Sequence, residues 1–125
     1  MVSGAVLDSS AVLAVLFDEP GSETVVRLLQ GAMVSAVNLA ELHGSLLRRG
    51  VKGDFAWTRI AELGCEVCPF DEEQARVAGE LAMRTGLSFG DRACLALALQ
   101  RKATVYTTDA AWKDLGIGIE VEVIR

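Results

Sequence analysis

Short apolar segments alternate with helical patterns along the whole chain, and this alternation limits the possible folds more than any other feature. The apolar segments predict five strands, GAVL, AMV, CEVC, ATVYTT and IEVEVI. After the second segment, Leu39, Leu42 and Leu46 repeat at the spacing of one helix face. Short apolar strands separated by helices are typical of a parallel sheet that is covered on both faces. The sequence therefore predicts a three-layer α/β/α sandwich with a short-stranded, mainly parallel central sheet.

Small polar and acidic residues mark the predicted helix starts. Ser9, Ser35, Asp71 and Ser88 are predicted N-caps, because their side-chain oxygens can accept from the free backbone N–H groups of a first turn. Asp8 competes with Ser9 for the first of these positions. The helix that starts at Asp71 is expected to reach residue 85. Further predicted helices cover residues 23–30, 52–63 and 110–115.

The size and composition predict one domain that spans residues 1–125. Hydrophobic residues make up 51% of the chain, which is enough for a sizeable core. No apolar stretch approaches the roughly 18 to 20 residues needed to span a bilayer. No basic residue precedes the first apolar segment, as one would in a signal peptide. We therefore expect a soluble, cytoplasmic protein.

The three cysteines form no clear functional set. An odd number is a poor disulfide framework. Cys65 and Cys68 form a C-x-x-C pair, but zinc would need two more ligands, and only Cys94 and His43 remain. We interpret all three cysteines as reduced thiols.

Two acidic residues follow predicted strands, where sheets of this kind bind their ligands. Asp8 follows the first strand and Asp109 follows the fourth. Ligands of open α/β sheets lie in the crevice at the carboxyl ends of the strands. Both side chains therefore belong to one rim if the first and fourth strands are neighbours.

Two further acids occur within apolar helical stretches. Asp91 precedes Leu95 and Leu99 at helical spacing and so shares their inward face. Glu41 is flanked by apolar residues deep inside its helix. An unpaired acid in such a position costs stability, so both acids are candidates for a functional role.

Most of these acids also have a structural interpretation. Asp8 and Asp109 are placed to cap helices, and Asp91 would favour a helix N-terminus through the helix dipole. Glu41 is too deep in its helix to cap it. The functional interpretation of all four acids requires that the fold brings them to one place.

Converging carboxylates need a compensating cation. Side by side they raise one another's pKa and retain protons, whereas a divalent metal removes the conflict. A set of oxygen ligands favours Mg²⁺ or Mn²⁺ over zinc. Such an ion can activate a water molecule, and two ions about 4 Å apart would stabilise the attacking and leaving oxygens of a phosphodiester.

The overall charge bears on the substrate. A net charge of −5 and a sequence pI of about 4.8 disfavour nonspecific nucleic-acid binding. A carboxylate pocket that holds metal attracts phosphate, and basic side chains must then contact the rest of the backbone. Arg92, next to Asp91, is the predicted substrate residue. Arg48, Arg49 and Lys52 either serve the same purpose or complement the dipole at a helix end.

Four segments, in the order LDSSAVLAVL, SAVNLAEL, LSFGDRACLALA and VYTTD, resemble the motifs of PIN-domain ribonucleases. They look most like the motifs of VapC toxins of bacterial toxin–antitoxin pairs, and the resemblance extends over essentially the whole chain. It implies a PIN-like fold. It also implies a metal-dependent endoribonuclease whose products carry a 5′-phosphate and a 3′-hydroxyl.

The resemblance also assigns roles to single residues. Asp8 and Asp91 would be the principal ligands of Mg²⁺ or Mn²⁺. Glu41 and Asp109 would complete the catalytic pocket, directly or through water. Two hydroxyl side chains would orient ligands or water: Ser10 and Thr107.

The partners implied by the resemblance are an RNA substrate, a cognate VapB-type antitoxin and a second copy of the chain in a homodimer. The antitoxin usually binds along a hydrophobic groove and places a basic residue in the acidic pocket. Ala11–Phe17 and Val25–Leu29 are candidate walls of that groove. Core packing is the simpler explanation for any single apolar residue in them.

Two other functions stay open. A receiver-like phosphoacceptor domain also uses strand-end acids with Mg²⁺, but it needs adjacent acids after strand one, an Asp after strand three and a Lys near strand five. Here strand one gives DSS, strand three gives CPF, and no lysine is near the last strand. The second alternative is a noncatalytic module that uses a PIN scaffold to bind a partner.

Overall fold

A computed structural model of the chain describes residues 4–84 and 86–125. Residues 1–3, which belong to the predicted domain, and Thr85, the predicted end of one helix, lie outside the described residues. The strands are β1 (Ala5–Leu7), β2 (Met33–Ser35), β3 (Glu66–Cys68), β4 (Thr104–Thr107) and β5 (Val121–Val123). The α-helices are α1 (Ser9–Leu16), α2 (Ser22–Val26), α3 (Ala36–Arg48), α4 (Gly53–Ala61), α5 (Glu72–Leu81) and α6 (Phe89–Arg101). A 3₁₀ helix covers Ala110–Asp114.

The strands form a parallel sheet of order β3-β2-β1-β4-β5. This arrangement, with helices on both faces, confirms the predicted three-layer α/β/α sandwich. Strand β1 pairs with β4 in the register Val6 to Val105 and Leu7 to Tyr106. The first and fourth strands are therefore neighbours, as the shared rim required.

The strand order also locates the ligand crevice. The chain adds β2 and β3 on one side of β1 and then crosses to add β4 and β5 on the other side. Ligands of such sheets bind where the order reverses, which here is between the carboxyl ends of β1 and β4. A receiver domain has the order 2-1-3-4-5, so the observed order does not match that alternative.

Two apolar clusters cover the sheet, one on each face. Val6 and Val105 face a cluster built on α5 and α6, while Leu7 and Val34 face a cluster built on α1 to α3. Helix α6 is the most deeply buried, with every residue from Ala93 to Ala98 fully buried. A helix that is apolar all round belongs in a core, so α6 is a rigid support for the residues at its N-terminus.

The helix boundaries confirm three of the four predicted N-caps. Ser35, Asp71 and Ser88 each accept from a backbone N–H of the following turn. The prediction of Ser9 is wrong, because Asp8 caps α1 and Ser9 is its first residue. Asp8 wins this competition because its carboxylate accepts from the backbone N–H of Ala11.

Three helices are shorter than predicted. Helix α2 ends at Val26 rather than at residue 30, and the chain continues in single turns. Helix α4 covers Gly53–Ala61 rather than residues 52–63, and helix α5 ends at Leu81 rather than at residue 85. All three differences lie at helix ends, where local sequence signals are weakest. Among residues 4–84 and 86–125, no helix has the length and apolar character that crossing a membrane requires.

Candidate functional site

Asp8 is a buried carboxylate at the junction of β1 and α1, with 6% of its surface exposed. Its Oδ1 accepts from Ser10 Oγ at 2.6 Å and from the backbone N–H of Ala11 at 2.8 Å. Its Oδ2 accepts from Thr107 Oγ1 at 2.5 Å. Burial raises the pKa of Asp8, and the charge of Asp91 adds to this effect, while the three hydrogen bonds oppose it.

The hydroxyls of Ser10 and Thr107 connect Asp8 to the end of β4. Ser10 Oγ accepts from the backbone N–H of Thr108 at 3.0 Å. Thr107 Oγ1, which is fully buried, accepts from the backbone N–H of Asp109 at 3.0 Å. Each hydroxyl therefore donates to the carboxylate and accepts from the chain behind it, which fixes the direction of its proton. This network joins the carboxyl ends of the two strands at the point where the strand order reverses.

Asp91 lies in the first turn of α6 and is partly exposed. Its carboxylate accepts from the backbone N–H of Ser88 at 3.0 Å, and its own N–H donates to Ser88 Oγ at 3.2 Å. This capping box satisfies two backbone groups at the helix start. The structural interpretation of Asp91 is therefore correct, and it leaves the second carboxylate oxygen of Asp91 for other contacts.

Glu41 is exposed on α3, so the expectation of a buried position is wrong, and its side chain is directed toward the first turn of α6, where its carboxyl group lies against Gly90. Its Oε1 accepts from Asn38 Nδ2 at 2.9 Å and from Ser9 Oγ at 3.3 Å. The same Asn38 nitrogen donates to the backbone carbonyl of Gly90 at 3.1 Å. Glu41 thus contacts both the helix that follows Asp8 and the helix that carries Asp91.

The buried Cys94 lies within the electrostatic influence of three of the acids. Burial raises the pKa of its thiol well above the usual value, and the charges of Asp8, Asp91 and Glu41 raise it further. Charge effects fall with distance, so these three acids belong to the same part of the molecule. All three cysteines are free thiols.

Asp109 is placed differently from the other three acids. Its carboxylate accepts from the backbone N–H of Ala111 at 3.0 Å and caps the 3₁₀ helix. The residue is exposed, and its link to Asp8 runs through the hydroxyl of Thr107. Asp109 therefore lies on the same rim without a direct contact to the other carboxylates in the described residues.

The site has oxygen donors for a cation, and none of its acids forms an ion pair with a basic side chain of residues 4–84 and 86–125. In the part of the chain that the structure describes, the ion pairs join Arg76 to two glutamates and Arg125 to Glu19. Within the same residues, no three His, Cys, Asp or Glu side chains are grouped closely enough to hold a metal ion as they stand. The oxygen donors fit a hard divalent ion in kind, and binding one requires the carboxylates to close around it.

Two of the predicted basic residues contact groups outside the set of acids. Arg92 Nη1 donates to the carbonyl of Ala78 on α5 at 3.1 Å, and its guanidinium lies 5.8 Å from the ring centre of Phe89. Arg49 lies over the ring of Phe17 at 4.3 Å. A role of Arg92 in substrate binding stays a prediction, and it requires the side chain to leave its contact with α5.

Sequence reasoning missed two residues of the site, Asn38 and Gly90. Asn38 is three residues before Glu41, a spacing that brings two side chains together on a helix. That spacing was a usable signal for their contact. Gly90 gave no comparable signal, because its role comes from the approach of α3 to α6, which are 52 residues apart at this contact.

The fold and the site together define a class of protein. It is an α/β/α sandwich whose central strands β1 and β4 end in a network of carboxylates and hydroxyls. The sequence matches the PIN domain family over residues 5–118. The chain belongs to the PIN domain family.

Solved structures share this fold. VapBC2 from Rickettsia felis, bound to a DNA fragment from its promoter, matches with a TM-score of 0.76 at 19% identity, and 98% of each chain is covered. VapC20 from Mycobacterium tuberculosis, a sarcin-ricin loop cleaving toxin, matches with a TM-score of 0.75 at 18% identity over 94% of this chain and 99% of that chain. VapBC-1 from nontypeable Haemophilus influenzae matches with a TM-score of 0.75 at 17% identity over 98% and 97%. No curated protein sequence matches the chain.

Proposed function

We propose that this chain is a metal-dependent endoribonuclease that acts as the toxin of a type II toxin–antitoxin module. The observation that carries the proposal is the approach of three acids at the reversal point of the sheet. Asp8 accepts from Thr107 at the end of β4, and Glu41 accepts from Ser9, next to Asp8, while its carboxyl group lies against Gly90, next to Asp91. Membership of the PIN domain family supports a nuclease. The fold shared with VapC20, itself a cleaving toxin, supports RNA as the substrate.

The donor set supports Mg²⁺ or Mn²⁺ as the cofactor. Asp8 and Asp91 would be the principal ligands, and Glu41 and Asp109 would complete the pocket, directly or through water. A bound divalent ion would supply activation of water and neutralisation of phosphodiester charge. The buried position of Asp8 raises its pKa, which disfavours the ionised form. A bound cation would offset this effect, because a nearby positive charge favours the ionised carboxylate.

The hydroxyls of Ser10 and Thr107 hold the Asp8 carboxylate in one orientation. They donate to different oxygens of Asp8, at 2.6 Å and 2.5 Å. Groups that orient a ligand in this way typically change metal affinity or activity by about 10- to 100-fold when they are removed. We therefore assign them a positioning role.

A cleavage assay tests the proposal. The purified chain is incubated with RNA, including a hairpin with the sarcin-ricin loop, with Mg²⁺ or Mn²⁺ and with EDTA. We expect cleavage that requires the ion and that falls by at least about 100-fold in Asp8→Asn and Asp91→Asn. Asp54→Asn is the matched control, because Asp54 is an exposed acid in the first turn of α4, as Asp91 is in the first turn of α6. Cleavage that survives both chelation and the two substitutions would contradict the proposal.

A VapB-type antitoxin is the proposed protein partner, because two of the matching structures are VapBC complexes by name. In the candidate walls, Phe17 is 37% exposed and Val26 is 53% exposed, while Ala11, Val12 and Val25 are buried in the core. The exposed side chains are therefore the ones available to a partner. We also propose a homodimer and a cytoplasmic location, both on the basis of the resemblance to VapC toxins.

A noncatalytic binding module is the second candidate function. One observation favours it: among residues 4–84 and 86–125, the metal-ligating side chains are not assembled into a group of three. Titration calorimetry with Mn²⁺ separates the two functions. Binding by the wild type that Asp8→Asn removes supports the nuclease, and absence of binding supports the module.

A further inference from the structure

Asn38 is a buried polar side chain next to the candidate site, with 1% of its surface exposed. Its Nδ2 carries two hydrogens and meets two acceptors, Glu41 Oε1 at 2.9 Å and the carbonyl of Gly90 at 3.1 Å. Exchanging the amide oxygen and nitrogen would set Oδ1 against two acceptors, so the hydrogen bonds fix the orientation of the amide. The Asn38 amide therefore ties the Glu41 carboxylate to the first turn of α6.

The amide oxygen of Asn38 makes this arrangement energetically unfavourable in one respect. Asn38 Oδ1 is buried and has no hydrogen-bond partner among the described residues. A buried acceptor without a partner is unfavourable. An apolar side chain would avoid this cost, so the two bonds donated by Nδ2 are the feature that asparagine contributes here.

The Glu41 carboxyl group occupies the space that a side chain at residue 90 would fill. A methyl group built on Gly90 would overlap both the carboxyl carbon and the oxygens of Glu41. Gly90 itself is buried and has helical backbone, so its conformation does not require glycine. The absence of a side chain is therefore needed for the approach of Glu41 and not for the turn.

We propose that Asn38 and Gly90 are positioning residues that hold the Glu41 carboxylate beside Asp91. The proposal rests on the proposed metal-dependent function, and it assigns two residues to the site beyond the acids and hydroxyls. Glu41 is on the exposed side of α3, and a free glutamate there would sample many rotamers. The amide of Asn38 and the open space at Gly90 confine it to the side that faces α6.

Gly90→Ala separates positioning from stability. The added methyl group displaces the flexible end of the Glu41 side chain, while alanine suits a helix at least as well as glycine does. We expect a metal-free melting temperature equal to or above that of the wild type, together with an Mn²⁺ affinity about tenfold lower. A purely structural role of Gly90 would lower the melting temperature instead.

A matched glycine provides the control. Gly79 is also within a helix, and a methyl group there would meet no described atom within 4 Å. We expect Gly79→Ala to leave Mn²⁺ affinity unchanged. Asn38→Ala, which removes the amide and keeps Gly90, should lower the affinity in the same direction as Gly90→Ala.

A double-mutant cycle with Glu41→Ala completes the experiment, with calorimetric Mn²⁺ affinity and metal-free melting temperature as its readouts. In the Glu41→Ala background, we expect Gly90→Ala to change the affinity by less than about twofold and to raise the melting temperature more than it does in the wild type. Two results would overturn this inference and leave the proposed function intact. The first is that Gly90→Ala does not change the Mn²⁺ affinity of the wild type, and the second is that it lowers the affinity equally in the wild type and in the Glu41→Ala background. A wild type that binds no Mn²⁺ would overturn the proposed function and, with it, the role given to Glu41.

Discussion

Asp8 combines a structural role, as the N-cap of α1, with the functional role that we propose for it. It caps α1 through Ala11 and accepts from Ser10 and Thr107, yet burial still raises its pKa. Burial of this kind disfavours the ionised form of a carboxyl group. The group that would bind a cation therefore lowers the stability of the metal-free protein when it is ionised.

The first prediction concerns the stability of Asp8→Asn without metal. A pKa that is raised on folding stabilises the folded protein at acid pH, and this contribution is lost as the pH rises through the folded-state pKa. Asparagine also caps helices and does not ionise, but its Nδ2 cannot accept from Thr107, which lowers stability by an amount that does not depend on the ionisation of residue 8. We expect the melting temperature of the variant, relative to that of the wild type, to rise by a few degrees between acid and neutral pH. Calorimetry across the pH range measures it, and a difference that stays constant or falls toward neutral pH would contradict the cost assigned to ionised Asp8.

The second prediction concerns Thr107→Val. Valine keeps the shape of this fully buried side chain but removes the donor to Asp8 Oδ2. We expect the free energy of unfolding to fall by about 1–3 kcal/mol and Mn²⁺ affinity to fall by about 10- to 100-fold. Thr104→Val, in the same strand but bonded to Glu120 instead, is the control and should leave the affinity unchanged. Equal affinities in the two variants would argue against a positioning role for Thr107.

At the scale of the elements, α6 carries the site at its first turn and is anchored by its buried remainder. Residues Ala93 to Ala98 are fully buried, and the capping box of Ser88 and Asp91 closes the N-terminal end. The first turn is therefore fixed from both sides. It presents Gly90 to Glu41 and Asp91 to the rim where β1 and β4 end.

The third prediction compares two helix caps. Ser88→Ala removes the acceptor of the Asp91 N–H and should lower the free energy of unfolding by about 1 kcal/mol. Asp71→Ala removes the N-cap of α5 and should lower the free energy of unfolding by a similar amount. Asp71 lies beside Gln100, at the opposite end of α6 from Asp91. Only Ser88→Ala loosens the turn that carries Asp91, so only this variant should bind Mn²⁺ more weakly. Urea unfolding and calorimetry measure the two effects, and unchanged Mn²⁺ affinity in Ser88→Ala would count against this account of α6.

The sequence predicted the elements better than their contacts. Strand-end position made Asp8 a candidate, and depth within a helix made Glu41 one, because both signals are local. The pairing of β1 with β4 was only a condition in that reasoning, since no local signal specifies which parallel strands are neighbours. The contact of Gly90 with Glu41 could not be predicted for the same reason, because it depends on how closely α3 approaches α6. The wrong N-cap prediction at Ser9 has a local cause, because Asp8 and Ser9 are adjacent and both can cap a helix.

At the scale of the whole molecule, an acidic protein is proposed to act on an acidic substrate. The net charge is −5, and the guanidinium groups of Arg92 and Arg49 lie against neighbouring rings or carbonyls. RNA would therefore be attracted mainly through the ion at the rim. Because no ion pair of the described residues involves Asp8, Glu41 or Asp91, that ion would also stabilise the fold.

The fourth prediction is a metal-dependent gain in stability. An ion that binds only the folded state stabilises it by about 2.7 kcal/mol at 100 times its Kd. We expect Mn²⁺ to raise the melting temperature of the wild type and to have little effect on Asp8→Asn or Asp91→Asn. A thermal-shift titration measures this effect. Equal shifts in all three proteins would place the bound ion elsewhere.

We propose that Asp8, Glu41 and Asp91 bind one cation at the carboxyl ends of β1 and β4. An anomalous difference map from a crystal of the wild-type protein soaked in Mn²⁺ would locate that cation. We expect a peak about 2 Å from carboxylate oxygens of Asp8 and Asp91, with Glu41 facing it. A fully soaked crystal with no peak at this rim, or with its peak at other carboxylates, would show that these three acids do not form the cation site.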